Sequence, residues 1–235
     1  MLLRPFFSFY GSKWRAVKHY PNPKYNSIVE PFAGSAGYST RHYTNSIVLY
    51  EIDPVIFGVW KYLLTASQKE LKSLPIKFES TEDLKICQEA KWLIGFWLNK
   101  ACTCPKLTPS KWMREYESSQ FWGNKIKHRI LTQTPQIKHW KIFNKSFEDC
   151  PNKTRTYFID PPYNNAAGRL YQYNKLNYKK LSSWVRARLG QVIVCEQEGA
   201  TWLPFKHLAT IKTLNGSNGK GTSNEVIYLK GGLST

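Results

Sequence analysis

The chain has no apolar run near the roughly 20 residues that a bilayer-spanning helix needs. Residues 1–10 carry one arginine, and Pro5 and Ser8 cut their apolar stretch, with no small-residue cleavage site following. The expectation is a protein without a signal peptide, cytoplasmic and without a membrane partner. Cysteine is sparse and odd in number: Cys87, Cys102, Cys104, Cys150 and Cys195, irregularly spaced. That pattern argues for reduced, mostly buried thiols. Cys102-x-Cys104 makes no zinc pattern with any of the five histidines, so no metal is expected. No repeat period is visible. Acidic residues are scarce, with 16 Asp and Glu against 34 Lys and Arg, a net charge of +18. A surplus this large implies a polyanionic partner, nucleic acid before a membrane surface.

What is present is enough apolar material for one good core: 42% of 235 residues are hydrophobic. One domain with an insertion fits that size better than two equal domains. Two short β-branched runs, Ser27-Ile-Val-Glu30 and Ser46-Ile-Val-Leu-Tyr50, read as strands. A helix near Gly37 to Tyr43 joins them into a βαβ unit, which favours a parallel sheet. From residue 57 to about 142 the character changes. Lysine and arginine outnumber acids there, and six of the nine tryptophans fall in it: Trp60, Trp92, Trp97, Trp112, Trp122 and Trp140. Trp92, Leu93, Phe96 and Trp97 have helical spacing, so the stretch reads as a mainly helical insertion whose tryptophans form core. Strand signals return at Thr156–Asp160, Gln191–Glu196, Leu208–Thr213 and Glu225–Leu229. The Gly-, Asn- and Ser-rich stretch Asn215–Asn224 can join the last two as an antiparallel hairpin.

The sharpest chemical signal is Phe158-Ile-Asp160-Pro161-Pro162-Tyr163. Two successive prolines remove two backbone donors and fix φ, so the strand ends in a stiff turn. Open α/β sheets place ligands past the carboxyl ends of their strands. The turn offers a carboxylate, carbonyls with no competing N–H and an aromatic face, a set suited to a planar base bearing an amine. Upstream, Pro31-Phe32-Ala33-Gly34-Ser35-Ala36-Gly37 follows the first strand, where small residues let backbone N–H groups approach a ligand. The second strand ends in Tyr50-Glu51-Ile52-Asp53, with an acid about 20 residues after the turn, where a doubly wound sheet holds ribose hydroxyls. The turn lacks G-x-G-x-x-G, which points away from a dinucleotide.

Taken together, Phe9-Tyr-Gly-Ser-Lys13, Glu30-Pro-Phe-Ala-Gly-Ser-Ala-Gly37, Glu51-Ile-Asp-Pro54, Lys145-Ser-Phe-Glu148 and Asp160-Pro-Pro-Tyr163, in this order, resemble the Dam-like (alpha group) S-adenosylmethionine-dependent DNA adenine-N6 methyltransferases. The resemblance spans most of the chain, the middle matching only in position and character. It implies an α/β fold: a Rossmann-like methyltransferase sheet, mainly parallel with an antiparallel C-terminal hairpin. Residues 1–56 and 143–235 would form the catalytic domain, and 57–142 an inserted, mainly helical target-recognition domain. It implies S-adenosyl-L-methionine as cofactor, double-stranded DNA as partner, and a bacterial or virus-infected bacterial cell. Tyr10, Gly11 and Lys13 would lie at the methionine end of the cofactor, Lys13 near its carboxylate. Pro31, Phe32, Ala33, Gly34, Ser35 and Ala36 would form the cofactor loop. Glu51 would hold the ribose, Ile52 the adenine face, and Ser146 and Phe147 the adenine edge. The family has Asp-Phe at the last pair, so Ser146 is a departure, as is Ala36 where glycine is frequent. Asp160, also at the cofactor, Pro161, Pro162 and Tyr163 would act on a flipped-out adenine: Asp160 and the Pro161 carbonyl take the amine protons and Tyr163 stacks.

Candidate DNA contacts are Lys100, Lys106, Lys111, Arg114, Lys125, Lys127 and Arg129 in the insertion, and Arg169, Tyr171, Tyr173 and Lys175 after the Asp-Pro-Pro-Tyr turn. Cytosine-C5 chemistry needs a thiolate, typically in a Pro-Cys dipeptide; here the order is Cys104-Pro105 and Cys150-Pro151, which sets it aside. Other planar acceptors stay open: cytosine N4, an RNA base or a protein glutamine. So does a non-catalytic basic DNA-binding protein on the same fold, and so does the oligomeric state.

Overall fold

The computed structural model describes residues 2–100, 102–111, 113, 120–166, 168–213 and 221–231. Seven strands form one sheet: β1 Ser27–Glu30, β2 Ser46–Tyr50, β3 Lys141–Phe143, β4 Arg155–Ile159, β5 Gly190–Gln197, β6 Lys206–Thr213 and β7 Gly221–Lys230. Their spatial order is β3-β2-β1-β4-β5-β7-β6. β1 to β5 run parallel, and β7 lies antiparallel between β5 and β6. The mainly parallel sheet with an antiparallel C-terminal hairpin is the one expected. Residues 214–220, between β6 and β7 in the sequence, lie outside the described residues.

Central strands of a parallel sheet are buried on both faces, so they read as continuous apolar runs. Side chains alternate between the faces with period two. In β4, Phe158 enters one core while Tyr157 and Ile159 enter the other; in β5, Ile193 and Cys195 oppose Val192 and Val194. The first core extends through helices α1 Gly37–Arg41, α2 Pro54–Thr65, α4 Gln88–Phe96 and α5 Asn124–Gln133. A short α3, Gln68–Ser73, packs against α5. The second core is covered by α6, Tyr178–Ala187.

Local chemistry starts these helices where it should. Asp53 caps α2, accepting from Val55 N–H at 2.8 Å, with Pro54 at the first helical position. Ser67 and Glu70 form a reciprocal capping box on α3. Lysines close the other ends. Lys138 donates to the carbonyls of Leu63, Leu64 and Ala66 at 2.6–3.1 Å, and Lys127 donates to Leu74 O beyond α3. Lys230 likewise reaches the Arg186 and Arg188 carbonyls at the end of α6. An ammonium suits the negative end of a helix.

Residues 57–142 are mainly helical where described, but they share the first core with the sheet. Trp60, Trp97, Trp122 and Trp140 are buried in it together with Leu3, Phe6 and Phe7. Their indole N–H groups donate to Gly34, Phe6, Pro75 and Tyr43 carbonyls at 2.8–3.1 Å. Trp112 lies outside the described residues. The expected boundary at 142 also cuts β3, and α2 bridges β2 to β3. β3 has three residues, two of them exposed, so it carries no apolar run to betray it.

Trp60 couples the helices to the Gly-rich turn through its bond to Gly34 O at 2.8 Å. Replacing it with Phe leaves that carbonyl without its donor. The Trp60→Phe variant is expected to lose about 1–3 kcal/mol of stability by denaturant unfolding.

Candidate active site

The chain leaves β1 toward β2 on one side of the sheet and leaves β4 toward β5 on the other. The crevice between the carboxyl ends of β1 and β4 is therefore the topological switch point, where open α/β sheets bind ligands. A cavity of about 410 Å³ lies there, within the range of small-molecule sites. The two turns named from the sequence meet at its floor.

The first turn follows β1. Ala36 has φ 47° and ψ 51°, the left-handed region that favours glycine. It is the one described non-glycine residue with positive φ. Gly37 has another constraint: a Cβ there would lie 2.6 Å from Trp14 N, so the segment from Lys13 packs directly on the start of α1. The strain thus falls on Ala36, not on its glycine neighbour. Ser35 and Ser12 bond through their hydroxyls at 2.8 Å, tying the turn to the Tyr10–Lys13 segment. Gly11 has φ 70°, and a Cβ there would sit 2.2 Å from the Tyr171 hydroxyl.

Glu51 ends β2 and is buried at the cavity wall. Its Oε2 accepts from Gly34 N–H and its Oε1 from Asp53 N–H, both at 3.0 Å. Burial pushes its pKa up to about 7, partly opposed by those two bonds. Glu30 ends β1 and accepts from Ser39 N–H at 2.6 Å; burial pushes it up to about 8. Glu30 lines the cavity and was missed in the sequence, where it looks like a solvated strand-end charge. Its signal was its place immediately before the Gly-rich turn.

Lys13 is 7% exposed and ties its own segment to the Asp-Pro-Pro-Tyr turn. Its ammonium lies 3.0 Å from Asp160 Oδ1 and donates to Gly11 O at 3.1 Å. It also sits 4.6 Å from the Tyr163 ring centroid. Burial opposes its charge, yet Asp160, and then Glu225, outweigh that and hold Lys13 above the usual lysine range. Burial likewise pushes Asp160 upward, and the Lys13 ammonium pulls it back.

Every residue proposed for the cofactor borders this one cavity: Tyr10, Gly11 and Lys13, then Pro31 to Ala36, then Glu51 and Ile52, then Ser146 and Phe147, with Asp160. Ile52 is an exposed apolar side chain, 43% accessible, at the wall. Phe32 and Phe147 stack with centroids 5.3 Å apart. The Ser146 hydroxyl is already engaged as an acceptor, capping Glu148 N–H at 3.3 Å.

Of the four residues proposed for catalysis, Asp160 and Pro162 border the cavity. Pro161 is buried, and the Tyr163 hydroxyl reaches away to Glu225 on β7 at 2.8 Å. Tyr178 donates to Pro162 O from the start of α6.

The basic residues sort differently from the expectation. Lys100, Lys106, Lys111, Lys125, Arg169, Tyr173 and Lys175 are exposed. Lys127 is part-buried and its ammonium donates to Leu74 O beyond α3. Arg129 is half-buried, 4.8 Å from the Trp97 ring, and donates to Pro5 O at 3.3 Å. Burial, with Arg4 nearby, lowers Arg129 to about 10. Tyr171 lines the cavity. It packs on Phe9 and Tyr10 at 5.9 and 5.8 Å, and its hydroxyl donates to Tyr10 O at 3.2 Å. Arg114 lies outside the described residues. No described helix is long and apolar enough to cross a membrane, and the described residues hold no cluster of three or more His, Cys, Asp or Glu suited to a metal.

Neither a protein-family model nor a curated protein matches the sequence. Solved structures are similar only at a low level. A conserved hypothetical protein from Streptococcus pyogenes aligns with TM-score 0.36 and 12% identity over 92% of this chain and 93% of its own. A proposed methylase from Haemophilus influenzae gives 0.34 and 12% over 86% and 84%. A proposed methyltransferase from Escherichia coli gives 0.33 and 9% over 86% and 73%. Similarity at this level carries no argument about activity.

Two outcomes follow from the site's strain and burial. Ala36→Gly relieves a left-handed residue and is expected to stabilise the protein by about 1 kcal/mol in thermal unfolding. Glu30 and Glu51 have folded pKa values above their unfolded ones. Between about pH 5 and 8 the folded state therefore binds more protons than the unfolded state, and stability falls as pH rises. Each contributes a slope of about 1 kcal/mol per pH unit, and Glu30→Gln is expected to flatten the profile.

Proposed function

We propose that this chain transfers a methyl group from S-adenosylmethionine to the exocyclic N6 amine of an adenine flipped out of a specific DNA sequence. The observation that carries the reading is the Lys13–Asp160 ion pair at 3.0 Å. It ties the Asp-Pro-Pro-Tyr turn to the Tyr10–Lys13 segment, which the Ser12–Ser35 bond ties to the Gly-rich turn, and all three border a single cavity at the sheet's switch point.

The donor set there fits the cofactor. A carboxylate at a second strand end suits ribose hydroxyls, exposed Ile52 and stacked Phe32 and Phe147 suit a purine, and Lys13 suits a carboxylate. When bound, S-adenosylmethionine supplies a methyl group already activated on a sulfonium. Glu51 accepts from the two ribose hydroxyls. Ionisation of Glu51 strengthens that contact, so affinity rises as pH passes upward through about 7.

The acceptor's problem is a lone pair delocalised into its ring. Asp160 would accept a hydrogen bond from one amine N–H and the Pro161 carbonyl from the other, which favours a pyramidal nitrogen; after methyl transfer that nitrogen would lose one of the two protons to solvent. As that nitrogen gains positive charge, the Asp160 carboxylate stabilises it. Tyr163 provides the stacking face that fixes the approach.

The DNA surface in this reading comprises exposed Lys100, Lys106, Lys111 and Lys125 together with Arg169, Tyr173 and Lys175 near the cavity mouth. Arg114 belongs to the same proposal by sequence.

Parallel labelled methyl transfer to unmethylated DNA, RNA and protein separates the acceptor classes. Label in DNA alone, at adenine N6, is expected; label only in RNA or protein moves the acceptor. Asp160→Ala is expected to abolish transfer while cofactor binding survives in part, and full activity would remove Asp160 from the chemistry. Lys106→Ala with Lys125→Ala is expected to weaken DNA binding. The slope of log K against log salt is expected to become shallower by about 0.9 for each phosphate that the variant no longer neutralises. An unchanged slope places the DNA surface elsewhere.

A further inference from the structure

Behind the Asp160–Tyr163 turn lies a carboxylate to which the mechanism above gives no role. Glu225 sits in β7, 8% exposed, paired with Gln197 of β5 and Ala209 of β6. Its Oε2 accepts from the Tyr163 hydroxyl at 2.8 Å and from the Tyr20 hydroxyl at 3.2 Å. Its Oε1 accepts from the Ser223 hydroxyl at 3.3 Å. Tyr20 is itself buried and meets Phe158 of β4 edge-on at 5.2 Å. The motif's tyrosine is thus gripped from behind by a carboxylate that a second tyrosine holds in place.

A carboxylate in such a position is costly to desolvate, and an apolar group of similar volume packs as well or better. A purely structural role is therefore poorly served by this choice. What the carboxylate does uniquely is fix a phenol. Tyr163 turns about two side-chain torsions. Its backbone is restrained by Asn165 N–H on its carbonyl at 2.8 Å. With the hydroxyl pinned as well, the ring cannot tilt. A stacking platform needs that property, because a tilted ring carries the acceptor nitrogen off the line of attack.

We propose that Glu225 is a positioning residue for methyl transfer: it fixes the plane of the Tyr163 ring on which the planar acceptor stacks, and Tyr20 fixes Glu225. The proposal rests on the methyltransferase reading of the site. Sequence alone does not single out Glu225, because it lies 62 positions from Tyr163 inside an ordinary strand signal.

The test uses Glu225→Ala, Glu225→Gln, Tyr163→Phe and the double variant Tyr163→Phe/Glu225→Ala. Glu225→Ala is expected to lower kcat on the order of tenfold to a hundredfold, leaving the Kd for S-adenosylmethionine within about twofold. Glu225→Gln retains an oxygen that accepts from the phenol and is expected to recover most of the loss. In the Tyr163→Phe background, Glu225→Ala is expected to cost nothing further. A second readout needs no activity. In protein labelled with 13C at tyrosine Cζ, the Tyr163 resonance, assigned by its loss in Tyr163→Phe, is expected to shift in both Glu225 variants. Additive losses in kcat, or a Tyr163 resonance that Glu225 variants leave in place, would overturn the proposal. A resonance that shifts in a protein unable to methylate any acceptor would overturn the methyltransferase reading instead, and the catalytic role with it.

Discussion

The contact on which the site depends is the ion pair between Lys13 and Asp160. It joins two segments 147 positions apart, at 3.0 Å, in a nearly buried setting. Burying two charges is costly, and an isolated buried pair gives little net stability. Its value here is positional. The ammonium is also held by Gly11 O and lies against the Tyr163 ring, so one side chain sets the spacing between the Tyr10–Lys13 segment and the Asp-Pro-Pro-Tyr turn. Removing either partner strands the other, which makes the pair a constraint more than a source of stability.

The helical middle does not stand apart from this site. Trp60 bonds the Gly34 carbonyl, Trp97 bonds the Phe6 carbonyl, and Cys102 O accepts from Tyr10 N–H at 3.2 Å. Thr103 borders the cavity. The segment expected to read DNA thus supplies part of the wall where the cofactor is proposed to sit. A shift of that segment on a polyanion would be felt at Tyr10 and Gly11 through packed aromatic rings. The same packing explains why the tryptophans serve as core: each buried indole finds a carbonyl for its N–H, and none of the four is presented for stacking on a base.

Much of this was legible in the primary structure because it rests on local rules. β1, β2, β4 and β5 are apolar runs closed by turn residues, and the βαβ pattern dictates a parallel sheet. Apart from Tyr10, Gly11 and Lys13, which precede β1, the residues proposed for the cofactor come together because they follow strand ends, and the sheet order brings those ends to one crevice. What could not be read depends on long-range placement. β3 is too short and exposed to announce itself. Lys127 and Arg129 look like any surface cations until α3 and the Trp97 ring are set beside them. Tyr171 lies in a basic, aromatic loop that suggests nucleic acid, and only the fold shows it sealing Gly11. Glu225 needed the β5-β7-β6 hairpin to bring it behind Tyr163. Ala36 shows the reverse: its strain follows from a backbone conformation that no side-chain pattern encodes.

Every role proposed for these residues requires the crevice between β1 and β4 to hold S-adenosylmethionine. Titrating the cofactor into the purified protein, followed by tryptophan fluorescence or calorimetry, tests this without any acceptor. Saturable binding of one molecule per chain is expected, weakened at least about tenfold by Glu51→Ala, since hydrogen bonds to a charged group contribute roughly 1.5–3 kcal/mol. No binding to the folded wild-type protein, or binding that Glu51→Ala leaves unchanged, would contradict it.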